Sequence, residues 1–427
     1  MVARPLRFPS LPLICFSGSG ISLQHKDDPR DSGESATADG PTRHPDTSCS
    51  RDEYGDSPSL PVPISSNVLP PPSASSTGSL IRVSLARLLL NDQLELQRLG
   101  EACREHGAFY LDLQMTEIGN HILEDADRLF LLGEQLFNLS SSEKEKYDMC
   151  KFGGYYGYKG YQNRMRDMKE FYAVSKDDIL SIPCPRSAAN ARPILPQPSA
   201  IQSACPHIHS YIELSHTIVT ILLRHLTALL KLPAGTLENL HRQSACSGDQ
   251  VRWIKIQPSR ETRVNRGDEV LLDEHSDSNS ITVLFNRKGG LEVRQPYPHD
   301  KEIGTNQDGE FGPPIRWIKA GPLPGHCIIH LGEQIARLSS GVLRASVHRV
   351  CILPEQQRAG PRYSLVYFAR PEDNVILQQL EGVAVVPQPH GPDKPGVAGE
   401  TSKTVAWIAR WVRRSRRRQH KYDGDCT

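Results

Sequence analysis

From Val251 to Ala369 the chain is a succession of short runs rich in β-branched and aromatic residues: VRWIKI, SITVLF, LEVRQ, IRWIKA, HCIIHL, ASVHRVCIL and RYSLVYFA. Turn formers separate them, among them Gly289-Gly290, Gly321-Pro322, Pro324-Gly325 and Ala359-Gly360-Pro361. Many short strands punctuated in this way predict a sandwich or barrel. The preceding part has helical texture. After a short strand at Ile81–Leu85, Asp92 is placed to cap a helix with Leu96, Leu99 and Cys103 on one face, and Gly107 lies where it would stop. Ala108–Leu113 reads as a strand, and Ile122, Ala126, Leu129 and Gly133 keep helical register. Ser140 and Glu143 form a capping-box pattern, and a long amphipathic helix covers about 207–231. Gly153–Tyr161, rich in glycine and tyrosine, is expected as a loop. The fold expected is α+β, a jelly roll buttressed by N-terminal helices.

Residues 1–78 hold 12 of the 33 prolines and 15 serines, without a sustained apolar period, and are expected to be a disordered extension. The opening stretch, broken by Pro9 and Pro12, is not expected to be a signal peptide. The 50 basic residues against 49 acidic ones leave a net charge of +1, so no global field holds a nucleic acid or an anionic membrane. Only the last 27 residues are basic, with eight Lys/Arg against two Asp, and a solvated tail is the expectation there. Ten cysteines without a CxxC pair argue against a zinc module or a disulfide scaffold and suggest a reducing, cytoplasmic compartment. Ile218–Leu230, interrupted by Arg224 and His225, is too short to span a membrane.

The chemistry-bearing residues lie among the strands. His275 and Asp277 sit at i and i+2, which on a strand point to one face. About seventy residues later the run Ser346-Val347-His348-Arg349-Val350 offers a second histidine on another strand. Two imidazoles and one carboxylate on neighbouring strands make a facial triad suited to non-haem Fe(II), whereas zinc would more naturally close a tetrahedron. With one carboxylate ligand the iron keeps a net positive charge and attracts an anionic chelator. A 2-oxo acid fits, and Arg362 with Ser364, again at i and i+2, would fork its far carboxylate.

Taken together, HSDSNSITVLF, GGLEVR, GEQIARLSSGVLRASVHRV and RYSLVYF resemble the Fe(II)/2-oxoglutarate-dependent dioxygenases of the isopenicillin N synthase-like family. GEACREHGAFYLDL and DMKEFYAV resemble its upstream part, so the likeness runs over roughly residues 80–372. The resemblance implies a double-stranded β-helix core, Fe(II) on His275, Asp277 and His348, and 2-oxoglutarate on Arg362 and Ser364. It also implies O2 as co-substrate, with oxidative decarboxylation to succinate and CO2 yielding a ferryl oxidant. Hydroxylation, desaturation or rearrangement of a small fungal specialised metabolite would follow.

Several positions depart from the family pattern. Ser276 stands for its usual threonine and Asn279 for its glycine, and the Asn-x-Gly-Asp turn reads His330-Leu331-Gly332-Glu333. The tyrosine that touches the 2-oxo acid is replaced by Gln257 or Ile256, depending on alignment. That keeps open an oxidase without 2-oxoglutarate, with Arg362 on a substrate carboxylate, and beside it a catalytically inactive binding protein. Arg349 is expected as a structural ion-pair partner, and His326 and His330 are assigned no role. His207 and His209, two apart on a helix, do not face each other. The organisation expected is an extension over 1–78, a catalytic domain over 79–376 divided near residue 246, and a tail over 377–427. A monomer acting on a small molecule is expected.

Overall fold

The computed structural model describes residues 79–152, 155–160, 169–184, 195–257, 269–295, 316–352, 360–383, 403, 404 and 406. Contacts divide the chain into Met1–Val62 and Pro63–Thr427, and the described residues all belong to the second unit. The extension expected over 1–78, residues 296–315 and the chain from 407 onward lie outside the described residues.

In the N-terminal half, β1 (Arg82–Ser84) runs into α1 (Leu85–Leu89), followed by α2 (Gln93–Glu105), β2 (Ala108–Asp112), α3 (Glu117–Asn138) and α4 (Ser141–Lys146). Next come β3 (Gly157–Lys159), β4 (Lys169–Ser175), α5 (Lys176–Ile179), α6 (Ser199–Ser203) and α7 (Cys205–Leu229). Asp92 caps α2 as expected, its Oδ1 accepting from the backbone N–H groups of Leu94 and Glu95 at 3.0 Å each. Ser140 caps α4, but only half of the capping box forms. Glu143 turns its carboxylate to Lys146 and Tyr147 rather than back to the cap.

The second half supplies β5 (Gln250–Ile256), β6 (Glu269–Ser276), β7 (Ile281–Asn286), β8 (Leu291–Arg294), β9 (Trp317–Ala320) and β10 (His326–Leu331). α8 (Glu333–Leu338), β11 (Val347–Ile352) and β12 (Arg362–Ala369) complete it. One sheet has the order β1-β2-β10-β7-β12-β5-β4-β3, and a smaller one β6-β11-β8-β9. This is a double-stranded β-helix with helices on one side. Two strands extend the larger sheet beyond the expectation. β4 lies in the half read as helical, because its sequence KEFYAVS is buried from Glu170 to Ser175 and lacks strand alternation. β3 arises within the stretch expected as a loop.

Each side of the larger sheet buries its own apolar cluster. Trp253, Val283, Ile329, Leu365 and Tyr367 face α3 and α7, whereas Ile256, Leu284, Val366 and Phe368 face Leu291, Val293, Ile318 and Val350 of the smaller sheet. The alternation along β5 and β12 therefore decides which side chains enter the space between the sheets. Leu377 and Val383, past the expected domain end, are also buried. No helix among the described residues is long and apolar enough to cross a membrane.

Two structural details run against the sequence reading or extend it. Cys184 and Cys246 form a disulfide with Cα atoms 5.6 Å apart. The sequence reading, which argued only against a disulfide scaffold, did not anticipate this single bridge, because a separation of 62 residues gives no spacing signal. On the helical side, α3 lies close to the sheet where Trp253 Nε1 donates to the Leu129 carbonyl at 2.7 Å. A Cβ at Gly133 would stand 2.7 Å from Trp253 Cδ1, and the fully buried indole has no room to yield. Overpacking outweighs the small gain in helix propensity, so Gly133→Val is expected to lower unfolding free energy by about 1–3 kcal/mol. Urea denaturation of the two proteins checks this.

Candidate metal centre

The smaller sheet pairs β6 with β11 so that His275 and His348 lie directly across from each other. Their rings are 4.4 Å apart, and Asp277, just beyond the end of β6, brings Oδ1 to 3.9 Å from His348 Nε2. One ligand atom from each of the three side chains lies within 4.8 Å of the other two. The other such group among the described residues, Asp177 with Cys184 and Cys246, has its two sulfurs bonded to each other.

Hydrogen bonds set the histidine tautomers. His275 Nδ1 lies 2.8 Å from the Asp273 carbonyl and His348 Nδ1 3.3 Å from the Ser346 carbonyl. A carbonyl only accepts, so each Nδ1 carries the proton and each Nε2 keeps a lone pair for a metal. Burial, reinforced by the neighbouring imidazoles, pushes both histidines down to about 4, so they are neutral at ordinary pH. Burial acts to raise Asp277, but His348, His275, His330 and a hydrogen bond from Thr282 together hold it below the usual carboxylate range. Two neutral imidazoles and an ionised carboxylate are the protonation states that metal ligation requires.

Further residues orient Asp277. Asn279 Nδ2 donates to Thr282 Oγ1 at 2.9 Å, and Thr282 Oγ1 donates to Asp277 Oδ2 at 2.6 Å. The Asn279 that departs from the family pattern thus fixes the hydroxyl that fixes the carboxylate. From the other side, the Glu333 backbone N–H donates to the Asp277 carbonyl at 2.8 Å and Glu333 accepts from Ser276 Oγ at 2.7 Å. The chains approach so closely that a Cβ at Gly332 would stand 2.1 Å from the Asn279 carbonyl oxygen. His330, assigned no role from sequence, has its ring 4.5 Å from that of His348, with Nδ1 3.2 Å from Ser346 Oγ. Arg349 bonds Glu292 at 2.8 Å, the ion pair expected of it.

Arg362 and Ser364 occupy the inter-sheet face of β12. Arg362 Nε donates to the Gly289 carbonyl at 2.9 Å and Nη1 to Ser364 Oγ at 2.5 Å, while Nη2 is buried with no partner. Burial lowers the guanidinium to about 10, and no carboxylate contacts it among the described residues. The Ser364 hydroxyl accepts from Arg362, which frees its own hydrogen to donate. A buried fork with an unused N–H beside a free hydroxyl fits a carboxylate from outside the protein. The two residues that could stand for the family's tyrosine are placed differently. Ile256 lies opposite Arg362 and is buried, whereas Gln257 is exposed.

Residues 80–197 match the non-haem dioxygenase N-terminal region described for morphine synthesis, and residues 268–371 match the 2OG-Fe(II) oxygenase superfamily. A 2-oxoglutarate-dependent dioxygenase of Aspergillus fumigatus is 27% identical over 338 residues, 77% of this chain and 83% of the relative. Another, from Dothideomycetidae sp., is 27% identical over 314 residues, 71% of this chain and 85% of that one. Among solved structures, a full-length Neurospora crassa protein in complex with α-ketoglutarate superposes with a TM-score of 0.60 at 18% identity. That superposition covers 80% of this chain and 98% of the other. A 2OG-Fe(II) oxygenase family protein from Caulobacter crescentus gives 0.58 at 23% identity, covering 79% of this chain and 100% of the other.

Thr282→Val is expected to loosen Asp277 and weaken metal affinity by about 10- to 100-fold with the fold unchanged. Anaerobic Fe(II) titration followed by calorimetry reads this directly.

Proposed function

Since the chain belongs to the 2OG-Fe(II) oxygenase superfamily and is a 2-oxoglutarate- and Fe(II)-dependent dioxygenase of fungal type, we propose that His275, Asp277 and His348 hold its iron and that Arg362 and Ser364 hold the far carboxylate of 2-oxoglutarate. The observation that carries this reading is the convergence of three correctly protonated ligands, together with a buried guanidinium on the inter-sheet face of β12 whose Nη2 has no partner. Iron bound there supplies activation of O2, coupling decarboxylation of 2-oxoglutarate to succinate and CO2 with oxidation of a C–H bond.

The protein's own residues do the rest. Each Nδ1–H on its backbone carbonyl keeps the imidazole turned toward the metal, and Thr282 keeps one carboxylate oxygen of Asp277 engaged. Arg362 matches a carboxylate with a planar fork, Ser364 adds a hydroxyl donor, and Ile256 lines that end with an apolar surface. With no tyrosine at that position, the Arg362–Ser364 pair bears more of the recognition of the co-substrate. The apolar inter-sheet residues around them exclude water from the reacting atoms. The substrate in this reading is a small specialised metabolite, the reaction a hydroxylation, desaturation or ring rearrangement, and the catalytic unit residues 79–376.

Arg362→Lys keeps the charge but loses the fork, so the 2-oxoglutarate concentration for half-maximal succinate release is expected to rise about tenfold or more. Succinate measured against 2-oxoglutarate concentration tests it. An unchanged requirement would place the co-substrate carboxylate elsewhere.

A further inference from the structure

A second guanidinium shares the inter-sheet face with Arg362. Arg252 on β5 lies opposite Val366 of β12, four residues along from Arg362, or about 13 Å in the strand direction. Its guanidinium is 4.6 Å from the Phe171 ring centroid and 5.0 Å from that of Phe368. One N–H reaches Gln250 Oε1 at 3.2 Å, and Nε is buried without a hydrogen-bond partner. Val366, its cross-strand partner, packs in the same inter-sheet cluster as Val350, two residues from His348 on β11. Arg370, also against the Phe368 ring at 5.5 Å, adds a second positive charge, and its Nε is buried and unpartnered too.

Among the described residues, other inward cations have carboxylate partners. Lys176 pairs with Asp177 at 2.9 Å, Lys144 with Glu170 at 2.9 Å and Arg349 with Glu292 at 2.8 Å. Arg252 and Arg370 have no ion-pair partner among the described residues. A guanidinium clamped between two aromatic rings, with an N–H directed at no protein atom, is a preorganised anion receptor. Arg362 already serves the co-substrate, so the anion held by Arg252 belongs to another molecule.

We propose that Arg252 is a specificity-determining residue and that the substrate is a small organic carboxylic acid, its carboxylate held by the Arg252 guanidinium between Phe171 and Phe368. This inference rests on the functional reading above, because it takes Arg362 and the metal as occupied by 2-oxoglutarate. Phe171 and Phe368 fix the plane of the fork, which favours a flat carboxylate over a compact hydrated anion, and Arg370 strengthens the local positive potential.

The test is anaerobic calorimetry on the iron-loaded protein with 2-oxoglutarate saturating, titrated with phenylacetate, hydrocinnamate and octanoate and with the matched neutral amides. At least one acid is expected to bind about tenfold or more tightly than its amide, the size of a charge-assisted hydrogen bond. Arg252→Gln should abolish that preference and Arg252→Lys retain part of it. Acids that bind no better than their amides in the unmodified protein, or that do not bind at all, overturn the proposal whether or not the variants fold. So does an undiminished preference in Arg252→Gln. Uptake of 2-oxoglutarate is titrated separately, and its failure contradicts the functional reading alone. The acid-against-amide comparison is then made on the iron-loaded protein without it.

Discussion

The site depends on the register between β6 and β11. His275 and His348 are direct cross-strand partners, so one backbone pairing sets both imidazoles on the same face at once. A slip of one residue would turn one of them away from the other. That pairing is held by elements distant in sequence. The turn around Gly332 donates backbone hydrogen bonds to the carbonyls of Asp277, Asn279 and Ser280, and the Ser346 N–H donates to the Leu331 carbonyl at the entrance to β11. Asp277, past the end of its strand, lacks the ladder that fixes the histidines. Asn279, Thr282 and Glu333 supply the missing restraint.

Electrostatics gives the space between the sheets its direction. The imidazoles are neutral because they are buried and crowd one another, so Asp277 is the anion among the ligands. Fe(II) against one carboxylate leaves a net positive centre, and Arg362 and Arg252 on the same face add to it. Buried cations without counter-charges are costly unless something completes them. Under the two proposals made above, the 2-oxo acid would do so at Arg362 and an acidic substrate at Arg252. The same imbalance would let a chain with a net charge of only +1 recruit anions to one place.

The β-helix and its helical support were legible because short strands with turn signals, capped helices and amphipathic stripes each carry local patterns. His275, Asp277, His348, Arg362 and Ser364 were legible because family motifs concentrate them in short runs. What was not legible depends on register. Thr282 lies in a run that reads as core strand, and only pairing shows that its hydroxyl meets Asp277. His330 and Arg252 likewise occupy strands where sequence gives no sign of which face is turned inward. β4 escaped because a strand buried on both faces loses its alternation. The Cys184–Cys246 bridge escaped because it joins segments with no spacing rule between them.

The measurement closest to the central claim is the anomalous scattering of crystals soaked anaerobically with Fe(II). The account predicts one strong peak bonded to His275 Nε2, the Asp277 carboxylate and His348 Nε2, with open positions on the remaining side. A peak held by other residues, or none at these three, would contradict it.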